Sequence, residues 1–299
     1  MIGVDWGTTQ LRAYRIDASG VAIAARSAPK GILSVADGRF DAALESVIAD
    51  WLDAEPGPVV MAGMIGSRQG WVEAPYVACP ATAAEIAGRL AEVRWGAGRR
   101  GFICPGMTCR DPDGVPDVMR GEEVQAIGVL ALEGNGVGAI RHPGTHSKHV
   151  RIADGAIAGF ATFLTGEMFA VLRDHSILGR TMTEGPVDWG AFADGLDRAG
   201  QSGGLLHHLF GARTRALLGG LGSASGVDYL SGMLIGHELL AEAGHEPVVI
   251  VGAPDLAQRY ARAYRAFGRQ ARILSAEAAT AAGLRRIWDL AAGAGSRSG

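Results

Sequence analysis

The chain has 299 residues, 48% hydrophobic and 20% charged, with a formal net charge of -3 at pH 7. This length can bury one large core or two medium ones, and two lobes are expected. No long Lys/Arg run is present, which argues against nucleic-acid and anionic-membrane partners. Three cysteines make no disulfide framework, and neither a leader segment nor a membrane-spanning apolar run is apparent. We therefore expect a cytoplasmic globular protein.

The first part of the chain alternates strands with helices. Period-two patterns follow one another from the start, and amphipathic patterns of helical period come between the later strands. The predicted strands are 2–6, 10–17, 21–28, 58–65 and 101–104, and the predicted helices are 40–52, 82–93 and 122–133. This alternation predicts an α/β lobe that opens with a three-stranded meander.

The second part begins after a Gly-Asn-Gly-Val-Gly segment and again shows a strand, a glycine turn, a strand, an Asp-Gly turn and a strand. A helix-rich stretch follows. Its predicted helices are 168–178, 204–218, 227–243, 256–267 and 277–290, with strands at 247–251 and 271–274.

The two parts contain an internal repeat. VDWGTTQLRAYRIDASGVAIAA aligns with IRHPGTHSKHVRIADGAIAGFA, so that the Gly-Thr pair at 7 and 8 matches the pair at 144 and 145. One supersecondary unit used twice indicates a duplicated fold rather than a solenoid, which needs at least three copies. The repeat predicts two lobes, 1–134 and 135–299.

The glycine turns have a chemical use as well as a structural one. A Gly-Thr hairpin turn leaves backbone N–H groups available to hold phosphate oxygens. Asp5 precedes only the first turn, where it can hold Mg²⁺ through water. The alternative is a pair of ordinary hairpins in which Asp5 caps the end of a strand.

Several strings resemble known families. IGVDWGTT, RGEEVQA, HPGTHSK and VVIVGAPDLAQRYARA resemble the phosphate-1, connecting-helix, phosphate-2 and adenosine elements of the sugar kinase, heat-shock and actin ATPase superfamily. With GMIGSRQGWVEAPYVACPA, PDVMRGEE and TFLTGEMF, they resemble the 2-dehydro-3-deoxygalactonokinase family over essentially the whole chain.

The resemblance implies a two-lobed actin-like ATPase fold, in which duplicated ribonuclease-H-like lobes flank an interlobe cleft. It also implies a kinase that uses ATP and Mg²⁺ to phosphorylate the terminal 6-hydroxyl of 2-dehydro-3-deoxy-D-galactonate in galactonate catabolism. The nucleotide-binding residues that it implies are Gly7, Thr8, Thr9, Arg12, Gly144, Thr145, Lys148, Gly252, Ala253 and Asp255. Lys148 could instead bind the substrate carboxylate, and Asp5 is the implied metal ligand.

The general base is expected where the connecting helix starts. Related carbohydrate kinases have a Gly-Asp-Gln-Gln string there, with the Asp as base, and the matching position here is Glu122. Asp117 and Glu123 stay open as alternatives, and both glutamates could simply be first-turn helix acids. Arg120, beside the base, could bind either the γ-phosphate or the substrate carboxylate.

A sugar-acid substrate calls for an arginine that can pair with its carboxylate. Arg68, in a glycine-flanked loop after a core strand, is the first candidate and is expected to be buried. Gln69 and Trp71 could contact the sugar chain, although Trp71 could equally be core filling. Gly166 and Glu167, expected at the end of a strand, could bind substrate hydroxyls.

Two rival functions stay open. One is the same chemistry on another sugar or sugar acid, because the fold does not fix the substrate. The other is a regulatory nucleotide-binding ATPase that phosphorylates nothing. The expected partners are ATP and a small sugar acid, without nucleic acid or membrane, and a homodimer stays open.

Overall fold

The structure, a computed structural model, describes residues 1–54, 57–96, 98–242, 244 and 246–295. The strands are β1 (Ile2–Trp6), β2 (Leu11–Ile16), β3 (Ala22–Ala28), β4 (Val59–Ala62), β5 (Tyr76–Ala78), β6 (Ala91–Trp95), β7 (Arg99–Ile103), β8 (Gly106–Arg110), β9 (Pro116–Met119), β10 (Ala139–His142), β11 (Ser147–Ala153), β12 (Ala156–Phe163), β13 (Val248–Gly252) and β14 (Ala271–Ser275). The helices are α1 (Phe40–Ala54), α2 (Ala83–Ala87), α3 (Glu122–Glu133), α4 (Thr165–His175), α5 (Trp189–Ala199), α6 (Gly204–Leu217), α7 (Gly226–Leu240), α8 (Pro254–Ala266) and α9 (Ala276–Gly295).

A six-stranded sheet has the order β3-β2-β1-β4-β7-β6. The meander β1–β2–β3 is antiparallel, whereas β1, β4 and β7 are parallel to one another. The predicted opening meander is therefore confirmed. Because β1, β4 and β7 run in the same direction, their carboxyl ends lie along one edge of the sheet, which is where ligands bind in open α/β sheets.

Helix α1 covers this sheet. Its residues Leu44 and Ile48 are one helical turn apart and fully buried, and they belong to one cluster with Trp6, Leu11 and Met61 of the sheet. Apolar side chains on the inner faces of strands and helix thus form one continuous core beneath the carboxyl edge of β1 and β4.

The predicted helix 82–93 is half wrong. Only Ala83–Ala87 is helical, and the helix ends at Gly88. The following residues form β6, antiparallel to β7, in which exposed and buried side chains alternate. Alternation of this kind is typical of a strand. The sequence therefore contained a signal for β6, which the prediction of one long helix missed.

A small sheet has the order β5-β8-β9. These short strands were not predicted, and β8 and β9 form an antiparallel hairpin in which Asp117 lies opposite Cys109. The chain leaves β9 at Met119 and reaches the start of α3 within three residues. The small sheet therefore delivers the chain to the helix that carries the candidate base.

A second sheet has the order β12-β11-β10-β13-β14. Helix α5, which was not predicted, packs closely on α7. A Cβ added at Gly195 or Gly232 would collide with a carbonyl oxygen of the facing helix, at Tyr229 or Phe192 respectively. Glycine is therefore required at both positions for the two backbones to approach this closely.

The chain divides into two compact units. The first comprises Met1–Ile140, Val150–Ala161 and Leu274–Gly299, and the second comprises Arg141–His149 and Thr162–Ile273. This division reflects the compactness of the backbone, whereas the predicted boundary between 134 and 135 separates two copies of a repeat. That boundary stays a prediction. No helix in the described part of the chain is long and apolar enough to cross a membrane.

Candidate active site

The first glycine turn follows β1 and is held from one side by the segment after β3. The indole Nε1 of Trp6 donates to the Lys30 carbonyl at 2.7 Å, and the Ile32 N–H donates to the Gly7 carbonyl at 3.0 Å. Thr8 and Thr9 at the tip of the turn are exposed. The turn is thus fixed at its base while its tip stays accessible, as a phosphate-binding turn requires.

Asp5 lies directly opposite Arg12 in the β1–β2 register, and Arg12 Nη1 approaches Asp5 Oδ2 at 3.3 Å. Burial raises the pKa of Asp5, and the Arg12 guanidinium partly opposes that shift. The Asp5 side chain nevertheless keeps 22% of its surface exposed, so an ion can reach it.

A hydrated Mg²⁺ fits this carboxylate, because Mg²⁺ in kinases keeps several waters and takes one or two carboxylates together with substrate phosphates. Among the described residues, no cluster of three or more His, Cys, Asp or Glu side chains could hold a metal by itself.

Two glycines allow β1, the segment after β4 and the start of α3 to approach one another at the carboxyl edge of the first sheet. A Cβ at Gly63 would lie 3.4 Å from Asp5 Oδ1, and a Cβ at Gly121 would lie 3.3 Å from the Gly63 Cα. Both residues have positive φ, 93° and 114°, which disfavours any other residue type. Asp5 and the start of α3, the two ends of the predicted catalytic machinery in this unit, are therefore neighbours.

The two glutamates at the start of α3 differ in environment. Glu122 is partly exposed, and its Oε2 accepts from the Arg120 N–H at 3.1 Å. Glu123 is fully buried, and its Oε2 accepts from the Gly121 N–H at 2.7 Å. Burial, followed by repulsion from Glu122, raises the pKa of Glu123 to about 8. Glu123 thus has the environment of a buried, neutral acid, and Glu122 that of an accessible carboxylate.

Asp117, the other alternative base, lies in β9 and is partly exposed. Its Oδ1 accepts from the Val118 N–H at 2.7 Å. The contacts of Gly63 and Gly121 bring the start of α3, with Glu122, close to Asp5. They do not involve β9, so no such contact supports Asp117 as the base.

Arg120 is held with part of its guanidinium unsatisfied. Its Nη2 donates to the Ala74 carbonyl at 2.9 Å, and the group lies over the Tyr76 ring at 4.4 Å. Its Nε and Nη1 are buried and have no hydrogen-bond partner within the described residues. Leaving such donors unpaired costs on the order of 1–3 kcal/mol each.

Arg68 differs from its prediction, because it is not buried. Its side chain is 87% exposed, and its Nε pairs with Glu73 Oε1 at 3.0 Å. The loop after Gly66 turns outward after a short helical turn, which carries Arg68 and Gln69 to the surface. The argument from a buried guanidinium therefore applies to Arg120 and not to Arg68.

Trp71 is partly buried and packs against the hydrophobic core of the first unit. Its ring stacks with Phe40 at 6.5 Å between centroids and lies 5.3 Å from the Trp95 ring. Its backbone N–H donates to the Ile65 carbonyl at 2.9 Å. These contacts favour the structural alternative for Trp71 over sugar stacking.

In the second unit, the Gly144–Thr145 turn contacts the first turn of α4. Gly166 and Glu167 were expected at the end of a strand, but they lie in this helix, because β12 ends at Phe163. A Cβ at Gly166 would collide with the Gly144 carbonyl, and the Glu167 N–H donates to the Thr145 carbonyl at 2.9 Å. The second glycine turn is therefore fixed against a helix N-terminus.

The side chain of Glu167 is directed to the same turn, since its Oε2 lies 2.5 Å from His146 Nε2. Lys148 is buried in β11, and its Nζ donates to Thr162 Oγ1 at 2.7 Å. The sequence left the direction of the Lys148 side chain undecided. In the structure its ammonium group lies beside Thr162 of β12.

The predicted adenosine turn lies beside the second glycine turn. A Cβ at Gly252 would lie 3.1 Å from the Pro143 carbonyl oxygen. Ala253 and Asp255 are exposed, and Pro254 occupies the first turn of α8. Two of the implied nucleotide elements, separated by over a hundred residues, are therefore adjacent in space.

A cavity of about 400 Å³ opens beside these turns, entirely within the second unit. It is lined by the second glycine turn and by residues of α4, α7 and α8. The lining includes Arg173, Ser231 and Tyr260, which the sequence analysis did not identify. Nothing in a helical sequence pattern says which polar side chain faces a cavity, so only the packing of α4 against α7 and α8 reveals them.

Comparison with known proteins gives consistent results. The family described as 2-keto-3-deoxy-galactonokinase matches residues 5–287. A Rhizobium meliloti protein named "Probable 2-dehydro-3-deoxygalactonokinase" is 38% identical, covering 96% of this chain and 97% of its own. The Escherichia coli 2-dehydro-3-deoxygalactonokinase is 34% identical, covering 96% of each chain. A crystal structure from Sinorhizobium meliloti, assigned provisionally to the same activity, is 38% identical with a TM-score of 0.87, covering 96% and 97% of the two chains.

Proposed function

Because the chain belongs to the 2-keto-3-deoxy-galactonokinase family and is an ATP-dependent carbohydrate kinase of the actin-like ATPase fold, we propose that it phosphorylates the terminal 6-hydroxyl of 2-dehydro-3-deoxy-D-galactonate. The observation that supports a kinase site in this chain is the meeting of Asp5, Gly63 and Gly121 at one sheet edge. At this edge the proposed metal-binding carboxylate lies beside the helix that carries the candidate base.

Glu122 is the proposed general base. Deprotonation of the sugar hydroxyl needs an accessible carboxylate that is charged near neutral pH, and the pKa of Glu123, about 8, leaves that residue mainly protonated there. Glu122 is the accessible one of the two, and a protonated Glu123 beside it adds no second negative charge to the site.

Asp5 is the proposed ligand of a hydrated Mg²⁺, supported by its exposed fraction and its place before the first glycine turn. When bound, Mg²⁺ neutralises charge on the transferred phosphate. Arg12 supports Asp5 by holding its carboxylate in place across the β1–β2 pair.

The nucleotide is proposed to bind the second unit through Gly144, Thr145 and the turn of Gly252, Ala253 and Asp255. Their adjacency and the neighbouring cavity support this assignment. Gly7, Thr8 and Thr9 are proposed to bind phosphate oxygens through the backbone of the first turn. The buried position of Lys148 beside Thr162 favours a structural or positioning role over direct phosphate contact.

The substrate carboxylate has two candidate partners. Arg120 has unpaired buried donors, and Arg68 has an accessible guanidinium already paired with Glu73. We favour Arg120, because a carboxylate would satisfy donors that are otherwise unpaired, whereas binding at Arg68 must compete with an existing ion pair. Gln69 is accessible for hydroxyl contacts.

The experiment is a coupled ADP-release screen with ATP and Mg²⁺ over sugar acids and neutral sugars. We expect the highest kcat/KM for 2-dehydro-3-deoxy-D-galactonate, lower values for its gluconate epimer, and little turnover of neutral hexoses. Mass spectrometry of the product should place the phosphate on the terminal hydroxyl. A clear preference for a neutral hexose would refute the proposed substrate class.

Cellular location and assembly are separate from this proposal. The few cysteines are consistent with a reducing compartment, and the cytoplasmic location stays a prediction. The homodimer likewise stays a prediction, which sedimentation of the purified protein would test.

A further inference from the structure

One buried carboxylate gathers hydrogen bonds from the elements that surround the second glycine turn. Glu238 of α7 accepts from Ser147 Oγ at 2.7 Å, from His149 Nε2 at 2.6 Å and from Tyr260 OH at 2.6 Å. The Thr165 hydroxyl also hydrogen-bonds to this carboxylate. These donors come from β11, α8 and the first residue of α4. A single side chain thus links three elements to α7.

Hydrogen bonds oppose the effect of burial on this carboxyl group. Burial alone would raise the pKa of Glu238, but hydrogen bonds from His149, Thr165 and Tyr260, together with attraction to His149, lower it overall. Burial also raises the pKa of Tyr260, so its hydroxyl stays a donor. Hydrogen bonds to an ionised acceptor are about twice as strong as neutral ones, and a converging set of them fixes geometry.

Each linked element contributes to the nucleotide elements described above. Ser147 follows the Gly144–Thr145 turn by two residues, and Thr165 precedes Gly166, whose backbone touches that turn. Tyr260 and Thr165 both line the cavity beside the turn. A shift of any of these donors would therefore move the turn or the cavity wall.

A second buried carboxylate, that of Glu242, lies four residues later and shares one neighbour with Glu238, since His149 Nδ1 lies 4.0 Å from Glu242 Oε2. Its other contacts are with different groups. Glu242 accepts from Tyr264 OH at 2.9 Å and pairs with Arg269 Nη2 at 2.8 Å and with Arg141. None of these residues lines the cavity. Two buried glutamates with comparable burial thus differ in what they hold in place.

We propose that Glu238 is a positioning residue for nucleotide binding, which fixes the second glycine turn and the start of α4 in the geometry that phosphate oxygens require. This inference rests on the proposed kinase function. It predicts that replacing the Glu238 carboxyl group by an amide weakens ATP binding specifically, whereas the same replacement at Glu242 weakens only the fold.

The test compares Glu238→Gln with Glu242→Gln. In Glu238→Gln we expect the KM for ATP to rise about tenfold or more, the equivalent of about 1.4 kcal/mol. The KM for the sugar acid should change less than about twofold, on the order of the smallest effects that kinetics resolve. Glu242→Gln should lower Tm and leave the KM for ATP unchanged. An unchanged KM for ATP in Glu238→Gln, or an equal rise in both variants, would overturn the proposal.

Amide hydrogen exchange without nucleotide gives an independent measurement. Exchange at 143–149 should be faster in Glu238→Gln than in wild type and in Glu242→Gln. Should Glu238→Gln not fold, Ser147→Ala removes one donor and should show faster exchange at the same residues together with weaker ADP binding by calorimetry. Unchanged exchange and ADP affinity would refute the role of Glu238. Absence of sugar-acid phosphorylation by wild type would instead refute the proposed function.

Discussion

The buried acid at the start of α3 predicts a specific dependence of stability on pH. Glu123 has a pKa of about 8 in the folded protein and an ordinary value of 4.5. Because the folded state holds the proton more tightly than the unfolded chain does, the unfolding free energy is highest below the ordinary pKa. It falls as pH rises, until the folded carboxyl has ionised.

The size of this effect follows from the two pKa values. They differ by about 3.5, and each pKa unit is worth about 1.4 kcal/mol, so ionisation of Glu123 should remove roughly 5 kcal/mol above pH 8. Glu123→Gln keeps the shape and the carbonyl acceptor for the Gly121 N–H, but cannot ionise. The variant should therefore gain stability relative to wild type as pH rises from 5 to 9.

Urea unfolding, followed by far-ultraviolet circular dichroism at several pH values, measures this difference. Subtracting wild type from Glu123→Gln cancels the other titrating groups, and Glu133→Gln at the exposed end of the same helix is the matched control. A stability difference that is constant over this pH range would refute the assignment of Glu123 as a neutral buried acid. It would also reopen the choice of base.

Three further predictions concern catalysis. Glu122→Gln should lower kcat by about 10²–10⁴-fold, the usual contribution of a general base, whereas Asp117→Asn should retain activity in the same steady-state assay; the reverse result would make Asp117 the base. Asp5→Asn should lower kcat by orders of magnitude with an unchanged circular dichroism spectrum, and turnover within a few-fold of wild type would remove Asp5 from the mechanism. Arg120→Met should lower kcat/KM for the sugar acid about ten- to a hundredfold, as expected for a lost charged hydrogen bond, and more than Arg68→Ala does; the opposite order would restore Arg68 as the carboxylate partner.

Periodicity predicted the elements whose burial pattern is simple. β1 and α3 begin and end at the predicted residues, because a strand that is apolar except for Asp5 and an amphipathic helix with acids in its first turn are unambiguous. The α2–β6 segment was harder, since a five-residue helix and a five-residue strand together have the length and composition of one helix. The alternation over Ala91–Trp95 did indicate a strand, but five residues are too few for that signal to outweigh the pattern of the helix before it.

The motifs of the candidate site could be predicted from the sequence, but which of its side chains are buried could not. The glycine turns were recognised from their repeat, and the structure shows what holds each in place. Arg68 was preferred to Arg120 on the premise that Arg68 is buried, and that premise is wrong. The loop after β4 turns Arg68 outward, whereas Arg120 is covered by the Tyr76 ring, and local sequence indicates neither. Similarly, Glu238 looks like an ordinary acid within an apolar helix, and only packing shows that four donors converge on it.

The packing of α9 on α3 has a consequence for the order in which the protein folds as it is made. Gly128 of α3 and Gly283 of α9 leave no room for a Cβ against the opposite backbone, and Gln125 Nε2 donates to Thr280 Oγ1 at 3.2 Å. The first compact unit therefore includes the segment from Leu274 onward, which the ribosome synthesises after all of the second unit. During translation the apolar face of α3 therefore stays uncovered while more than a hundred further residues are synthesised. A nascent chain stalled before Leu274 should thus expose α3 to chaperones, even though every other part of its unit has already emerged.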